Sequence, residues 1–328
     1  MFERYVPERY ARDFVEVRGD SAQLVNFMAT ALGHKPLMDD WIPPERLPAL
    51  REVCARYGLH VEAESMFVMV DKEKVPARVL GRETITTTSA FGLPFEARPP
   101  TDGWSALGPR VHVFISKDPE RLRHGMWYPI IIRDRMFWPP RADLLAYGHH
   151  LGYPPCCIAF FQRYNNWRRY SFLWEIRKRS STLHPLCNPL GKDRTYSYIY
   201  HMPCSFSCAA TVARVGALRA DIERHEPGLV AAIDRHLRLP ALVLRERKIY
   251  FFEGRATEQR IDYTAWEFEG GEPQADVLGP WLAQGDAVEI DPSRNRVRVL
   301  RGSAEIGALA CSAEGFAPEV PFIARFED

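Results

Sequence analysis

The chain alternates between stretches with a helical period and short runs with a strand period. Leu24, Phe27, Met28 and Leu32 recur every three or four residues. They predict a helix over Ala22–Leu32, capped by Asp20 or Ser21 and ended by Gly33. A second helix is predicted from about Glu45 to Tyr57, stopped by Gly58, with Cys54 on its apolar side as a buried structural thiol. Leu59–Asp71, Val111–Ile115 and Tyr128–Arg133 read as strands. Asp118-Pro119-Glu120 has the cap-then-proline order of a helix start, and Pro139-Pro140 precedes a helix over Ala142–His150. Another helix should run from Pro155 toward Ser180, interrupted near Asn165-Asn166. A further one should run from Pro203 to about His225, burying Ala209, Val212, Val215, Ala217, Leu218 and Ile222. From Ala241 the pattern turns to short strands: Ala241–Phe252, Ile261–Phe268, Ala287–Ile290, Arg296–Leu300 and Glu305–Ala310. Val288–Ile290 and Val297–Val299, joined by Asp291–Asn295, predict a hairpin with alternating faces.

These elements predict an α+β or α/β chain in three parts. The first is an N-terminal α/β unit over 1–105, closed by the Pro- and Gly-rich stretch Gly92–Gly108 as a linker. The second, 106–240, is a helix-rich core with a small sheet, and the third, 241–328, is a small β-rich unit.

Composition changes little in this picture. With 328 residues, 46% hydrophobic and 26% charged, the chain can bury a full core, and nothing marks it as disordered. A net charge of +1 provides no global field toward nucleic acid or membrane. The N-terminus lacks a signal-peptide core and the longest apolar runs are too short to cross a bilayer, so a cytoplasmic protein without membrane contact is expected. The odd count of seven cysteines in a chain of this size argues against a disulfide framework and for metal or redox chemistry.

Four of those cysteines gather in two motifs, Gly152-Tyr153-Pro154-Pro155-Cys156-Cys157 and His201-Met202-Pro203-Cys204-Ser205-Phe206-Ser207-Cys208. Each places a proline just before a cysteine, as at a helix start, where outward amides and the helix dipole favour a thiolate. Cys204 and Cys208, four residues apart, are expected on one helix face. The 46 residues between Cys157 and Cys204 allow a helix out and a loop back. Adjacent cysteines suit separate irons of a 4Fe–4S cube better than the two-to-four-residue spacing of a zinc knuckle. The expectation is therefore an iron–sulphur cluster on Cys156, Cys157, Cys204 and Cys208, with structural zinc, a thiol–disulfide site and plain core cysteines as alternatives. Cys187, between the motifs, is a possible replacement ligand. With only three cysteines bound, one metal position would stay open to substrate.

The two motifs, Leu151 to Phe161 and His201 to Cys208, resemble those of a prokaryotic family designated a domain of unknown function. The resemblance covers roughly 110–225 and implies that the motifs belong together, without bringing an activity. Around them, His201 is a candidate ligand or proton donor, and His184 lies in a proline-bounded loop within possible reach of the metal. Tyr153 is a packing residue of the first motif with its hydroxyl directed at the site, a candidate alternative ligand or supporting group there. His149 and His150 suit a helix C-terminus.

The stretch from Arg163 to Arg194 interleaves basic and aromatic residues. Arg163, Arg168 and Arg169 become candidate contacts for an anionic substrate or RNA, set against the simpler reading of a solvated helix face. No phosphate-binding loop, His-Glu-x-x-His helix, Gly-x-Ser-x-Gly elbow or radical-SAM cysteine spacing is present in the sequence. The functional expectation is an iron–sulphur protein in redox, sulphur-transfer or Lewis-acid chemistry on an anionic or nucleic-acid substrate, served by an electron-donor protein. The alternatives are a zinc-stabilised RNA-binding module without catalysis and a thiol–disulfide redox protein.

Overall fold

The structure, a computed structural model, describes residues 5–68, 109–124, 130–132, 135–137, 144–164, 171–191, 196–245, 248–270, 276–294, 296–311 and 321–327. The chain divides into two compact units, one formed by Val6–Ile158 and the other by Met1–Tyr5 with Ala159–Asp328. The proposed linker Gly92–Gly108 lies outside the described residues.

The unit Val6–Ile158 opens with helices α1 (Arg12–Arg18) and α2 (Leu24–Ala31). Every residue of α2 is buried, and Gly33 follows it with φ 86°, the left-handed geometry that a glycine accepts at a helix end. Asp20 Oδ1 accepts from the Ala22 N–H at 2.9 Å, close to the expected cap. Strand β1 (Met38–Ile42), helix α3 (Leu47–Arg56) and strand β2 (His60–Val68) follow, and then β3 (Pro109–Ser116). They form a three-stranded antiparallel sheet in the order β1-β3-β2, with Met38 opposite Ile115 and His60 opposite Ser116. The central strand is β3 because Val113, Phe114 and Ile115 are all buried, so both of its faces need cover. Asp118 caps α4 (Pro119–His124) through the Glu120 N–H at 3.0 Å. A short antiparallel pair, β4 (Ile130–Ile132) and β5 (Arg135–Phe137), and helix α5 (Leu144–His150) complete this unit.

Helix α6 (Pro155–Tyr164) is continuous across the division after Ile158. Helices α7 (Phe172–Lys178), α8 (Ala209–His225) and α9 (Pro227–Leu237) follow it, with a 3-10 turn at Pro185–Cys187 between α7 and α8. Then come β6 (Ala241–Arg245), β7 (Lys248–Ala256), β8 (Arg260–Gly270), the single turn α10 (Gly279–Leu282), β9 (Ala287–Asp291), β10 (Arg296–Arg301), β11 (Ala304–Ala310) and β12 (Phe322–Ala324). The strands build a seven-stranded antiparallel sheet in the order β11-β10-β9-β8-β7-β6-β12. The predicted hairpin is present in register, with Val288 opposite Val299 and Ile290 opposite Val297. The stretch Ala241–Phe252, predicted as one strand, folds as two antiparallel strands, β6 and β7, with the charged run Arg245-Glu246-Arg247-Lys248 separating its two apolar halves, and alternate residues of each strand supply two cores. Ala241, Val243, Ile249 and Phe251 pack with Phe160, Tyr164, Leu173, Ile176 and Phe206. Leu242, Leu244, Tyr250 and Phe252 pack on the opposite face with Ile261, Val288, Val299, Leu278 and Leu282. Antiparallel pairing throughout, with separate helices, makes this an α+β fold, as expected.

Candidate metal centre

The first motif reaches the site through α6. Pro154 closes the first turn, its carbonyl accepting the N–H groups of Cys157 and Ile158 at 2.9 and 3.0 Å. Proline at the first helical position leaves Cys156 and Cys157 in the amide-rich opening turn. From Ala159 onward the helix is held by Phe160 and Tyr164, whose rings lie 4.9 Å apart in the core against Phe206. Tyr153 sits just before the helix, packed against Leu37, Phe114, Leu122 and Leu151, with the Lys35 ammonium 5.4 Å from its ring centre.

The second motif departs from the predicted helix. The helix α8 begins only at Ala209, with Cys208 as its N-cap, and residues 203–207 form an irregular loop. Cys204 and Cys208 therefore do not share a helix face. The cause is Phe206, which is fully buried and stacked edge-on to Phe326 at 5.3 Å. Its N–H donates to Ser180 Oγ at 2.7 Å and its carbonyl accepts the His184 N–H at 2.8 Å. Those backbone groups are committed to partners outside the segment, so they cannot serve a helical ladder. Ser180 is held in turn by donating to the Ile176 carbonyl at 2.7 Å. The motif stretch between Cys204 and Cys208 thus gave the signal for this anchor, an aromatic residue flanked by two serines, which cysteine spacing alone passes over.

The sulphurs of Cys156, Cys157, Cys204 and Cys208 all lie within 4.8 Å of one another, a group able to hold a metal. The sulphurs of the adjacent pair Cys156 and Cys157 are 3.9 Å apart. Cys157 and Cys208 are buried, at 1% and 6% exposed, Cys204 is half-buried, and Cys156 is exposed. The N-terminal ends of α6 and α8 meet at the cluster, through Cys156 and Cys157 in the first turn of one and Cys208 at the cap of the other. That arrangement of amides and helix dipoles suits an anionic centre.

Cys187 lies outside the quartet. Fully buried, it directs its S–H to the Cys208 carbonyl at 3.5 Å. Burial, and then the charges of Cys208 and Cys204, push its thiol up to about 12, which keeps it protonated beside the four. His201 is likewise outside the group of four, its Nε2 3.1 Å from the hydroxyl of the buried Thr211 in the first turn of α8. His184 Nδ1 accepts the Leu186 N–H at 3.1 Å and caps the 3-10 turn. The two histidines and Cys187 thus fix the loops that carry Cys204 and Cys208.

Of the basic candidates, Arg163 is exposed on α6, and Arg168 and Arg169 lie outside the described residues. Farther along, Arg179 donates to the Tyr164 hydroxyl at 2.8 Å and lies over the Phe160 and Tyr164 rings. Lys178 pairs with Glu175 and Arg177 donates to the Ser180 carbonyl at 3.1 Å, so these cations are engaged within the fold. Among the described residues, no helix is long and apolar enough to cross a membrane. No known protein family, curated protein or solved structure matches the chain.

Proposed function

We propose that the four thiolates bind one tetrahedral divalent ion, with zinc as the preferred occupant, and that this metal–thiolate centre is the working site of the protein. The observation that carries the reading is the mutual spacing of the sulphurs. Four thiolates at the zinc–sulphur bond length occupy a tetrahedron whose edges are about 3.8 Å. The Cys156–Cys157 separation of 3.9 Å matches such an edge, and the 4.8 Å envelope closes on it with small side-chain rotations. Thiolates on separate irons of a cube diverge along its corners and stand roughly 6 Å apart, so a cluster would require all four to spread. Adjacency, the argument for a cube in the sequence, is met here by two neighbouring side chains in one helical turn converging on a shared point.

A 4Fe–4S cluster is the second reading. The pair of helix N-termini favours it, because amides directed at thiolates stabilise an anionic cluster as well as an anionic zinc site. Purification under nitrogen, elemental analysis and an optical spectrum separate the two. The zinc reading expects a colourless protein with one zinc per chain, and one cobalt per chain after exchange. A brown protein absorbing near roughly 400 nm, with iron and acid-labile sulphide in equal amounts, overturns it in favour of the cluster. A protein that binds neither and forms a reversible disulfide among the four overturns both.

A further inference from the structure

The four ligands of this centre differ in how firmly the fold holds them. Cys157 is buried on a helix whose next turn is fixed by Phe160 in the core. Cys208 is buried at the cap of α8, and its carbonyl accepts both the Cys187 S–H and the Val212 N–H, at 3.5 and 2.9 Å. Cys204 packs against the core cluster that includes Phe206. Cys156 alone of the four is exposed. The outer side of α6 continues from Cys156 through Ala159 to Arg163, all three exposed. Arg163 stands two turns along, about 10 Å on, and the alanine between leaves the stripe shallow.

Resting on the one-metal reading, we propose that Cys156 is an exchangeable ligand and that the position it vacates takes a small anionic thiol, whose carboxylate is received by Arg163. Three fixed thiolates with one open position is the coordination that lets a metal meet substrate, whereas four fixed ligands close it. The exchange balances without redox change. The incoming sulphur bonds to the metal as its S–H proton passes to the Cys156 sulphur, whose own bond to the metal breaks. A peptide-sized thiol carrying carboxylates spans the distance from metal to guanidinium. A thiol without charge enters the same position but lacks the second contact.

The test uses the full chain loaded with cobalt(II), whose sulphur-to-metal charge-transfer bands report the number of thiolates bound. Cys156→Ala should still take one cobalt in tetrahedral geometry, with affinity reduced no more than about tenfold, whereas Cys208→Ala should lose at least about a hundredfold. The charge-transfer intensity of Cys156→Ala should drop by about a quarter and be restored by reduced glutathione. Arg163→Glu, far from any ligand, should raise the half-saturating glutathione concentration about tenfold and leave that of 2-mercaptoethanol unchanged. In the unsubstituted protein, glutathione should make Cys156 the first residue alkylated by iodoacetamide, a readout that needs no ligand variant to fold. Equal metal loss in Cys156→Ala and Cys208→Ala overturns the proposal, as does a spectrum indifferent to glutathione or an Arg163→Glu effect shared by both thiols. Any of these with cobalt bound at one per chain leaves the one-metal reading standing. A chain that takes no cobalt, or takes iron and sulphide instead, overturns that reading and this inference with it.

Discussion

Replacement of Phe206 by alanine should separate the metal loop from the rest of the core. The ring is fully buried among Phe160, Leu173, Ile176, Val243, Phe251 and Phe326, and it is the only side chain of the Cys204–Cys208 loop that is fully buried. Truncating a buried phenylalanine costs about 3–5 kcal/mol. A second loss is specific to this position. Under the one-zinc proposal, zinc held at a hundred times its dissociation constant adds about 2.7 kcal/mol to the folded state. If the Phe206 anchor positions Cys204 and Cys208, a tenfold weakening of the site at the same free zinc removes about 1.4 kcal/mol of that increment. The assay is urea unfolding followed by fluorescence, with and without buffered zinc. Val299→Ala is the control, since Val299 is also fully buried but packs on the opposite face of the sheet, with Val288 and Leu282. Both variants should lose stability without zinc, and only Phe206→Ala should also lose part of the zinc increment. An undiminished increment in Phe206→Ala, or the same loss in Val299→Ala, refutes the claim that this loop is held through its aromatic residue.

Other positions give further checks. Cys54, fully buried, has its thiol pushed up to about 12, first by burial and then by the charges of Asp13 and Asp40. The unfolded thiol loses its proton near its ordinary value while the folded one keeps it, so this contribution to stability is intact below about pH 9 and is lost as pH rises toward 12. Cys54→Ala should therefore flatten the decline of stability over that window by up to about 1.4 kcal/mol per pH unit in urea titrations at successive pH values. Asp40, 2% exposed, takes two hydrogen bonds from Arg18, from Nε at 2.7 Å and Nη2 at 3.2 Å. Asp40→Ala removes both of these bonds and leaves the Arg18 guanidinium with Asp20 as an ion-pair partner, so it should cost about 1–3 kcal/mol, with Arg18→Leu in the same background recovering part of the loss in thermal denaturation. At Gly254, beside the bulge in β7, a Cβ would run into the Asp262 carbonyl oxygen of β8, so Gly254→Ala should destabilise by about 1–3 kcal/mol.

Much of the element pattern was legible because each element obeys a local rule. The cap at Asp118, the glycine after α2 and the alternation across β9 and β10 are decided within a few residues of chain, and the structure keeps them. The antiparallel order of the strands was less legible. Strand β3 pairs with both β1 and β2 across a long intervening stretch, and nothing local announces a central strand beyond three successive apolar residues. The quartet of cysteines was legible as a set, since thiols in proline-led turns have few other uses, yet its geometry was not.

The misreading of the second motif explains why. Proline followed by two cysteines four residues apart describes a helix start well, and on local grounds the helix from Pro203 is the better prediction. The backbone around Phe206 instead spends its hydrogen bonds on Ser180 and His184, 26 and 22 residues earlier, because burying the ring among Phe160, Phe251 and Phe326 outweighs one turn of helix. The consequence reaches the chemistry. In a helix, Cys204 and Cys208 would be stacked one turn apart on one side. In the loop, Cys208 caps α8 while Cys204 approaches from the core side, and the two join the adjacent pair of α6 within 4.8 Å. The cube follows from the adjacency of Cys156 and Cys157 in the sequence, whereas the one-ion proposal rests on the mutual spacing of all four sulphurs, which is set by a tertiary contact that no local rule encodes.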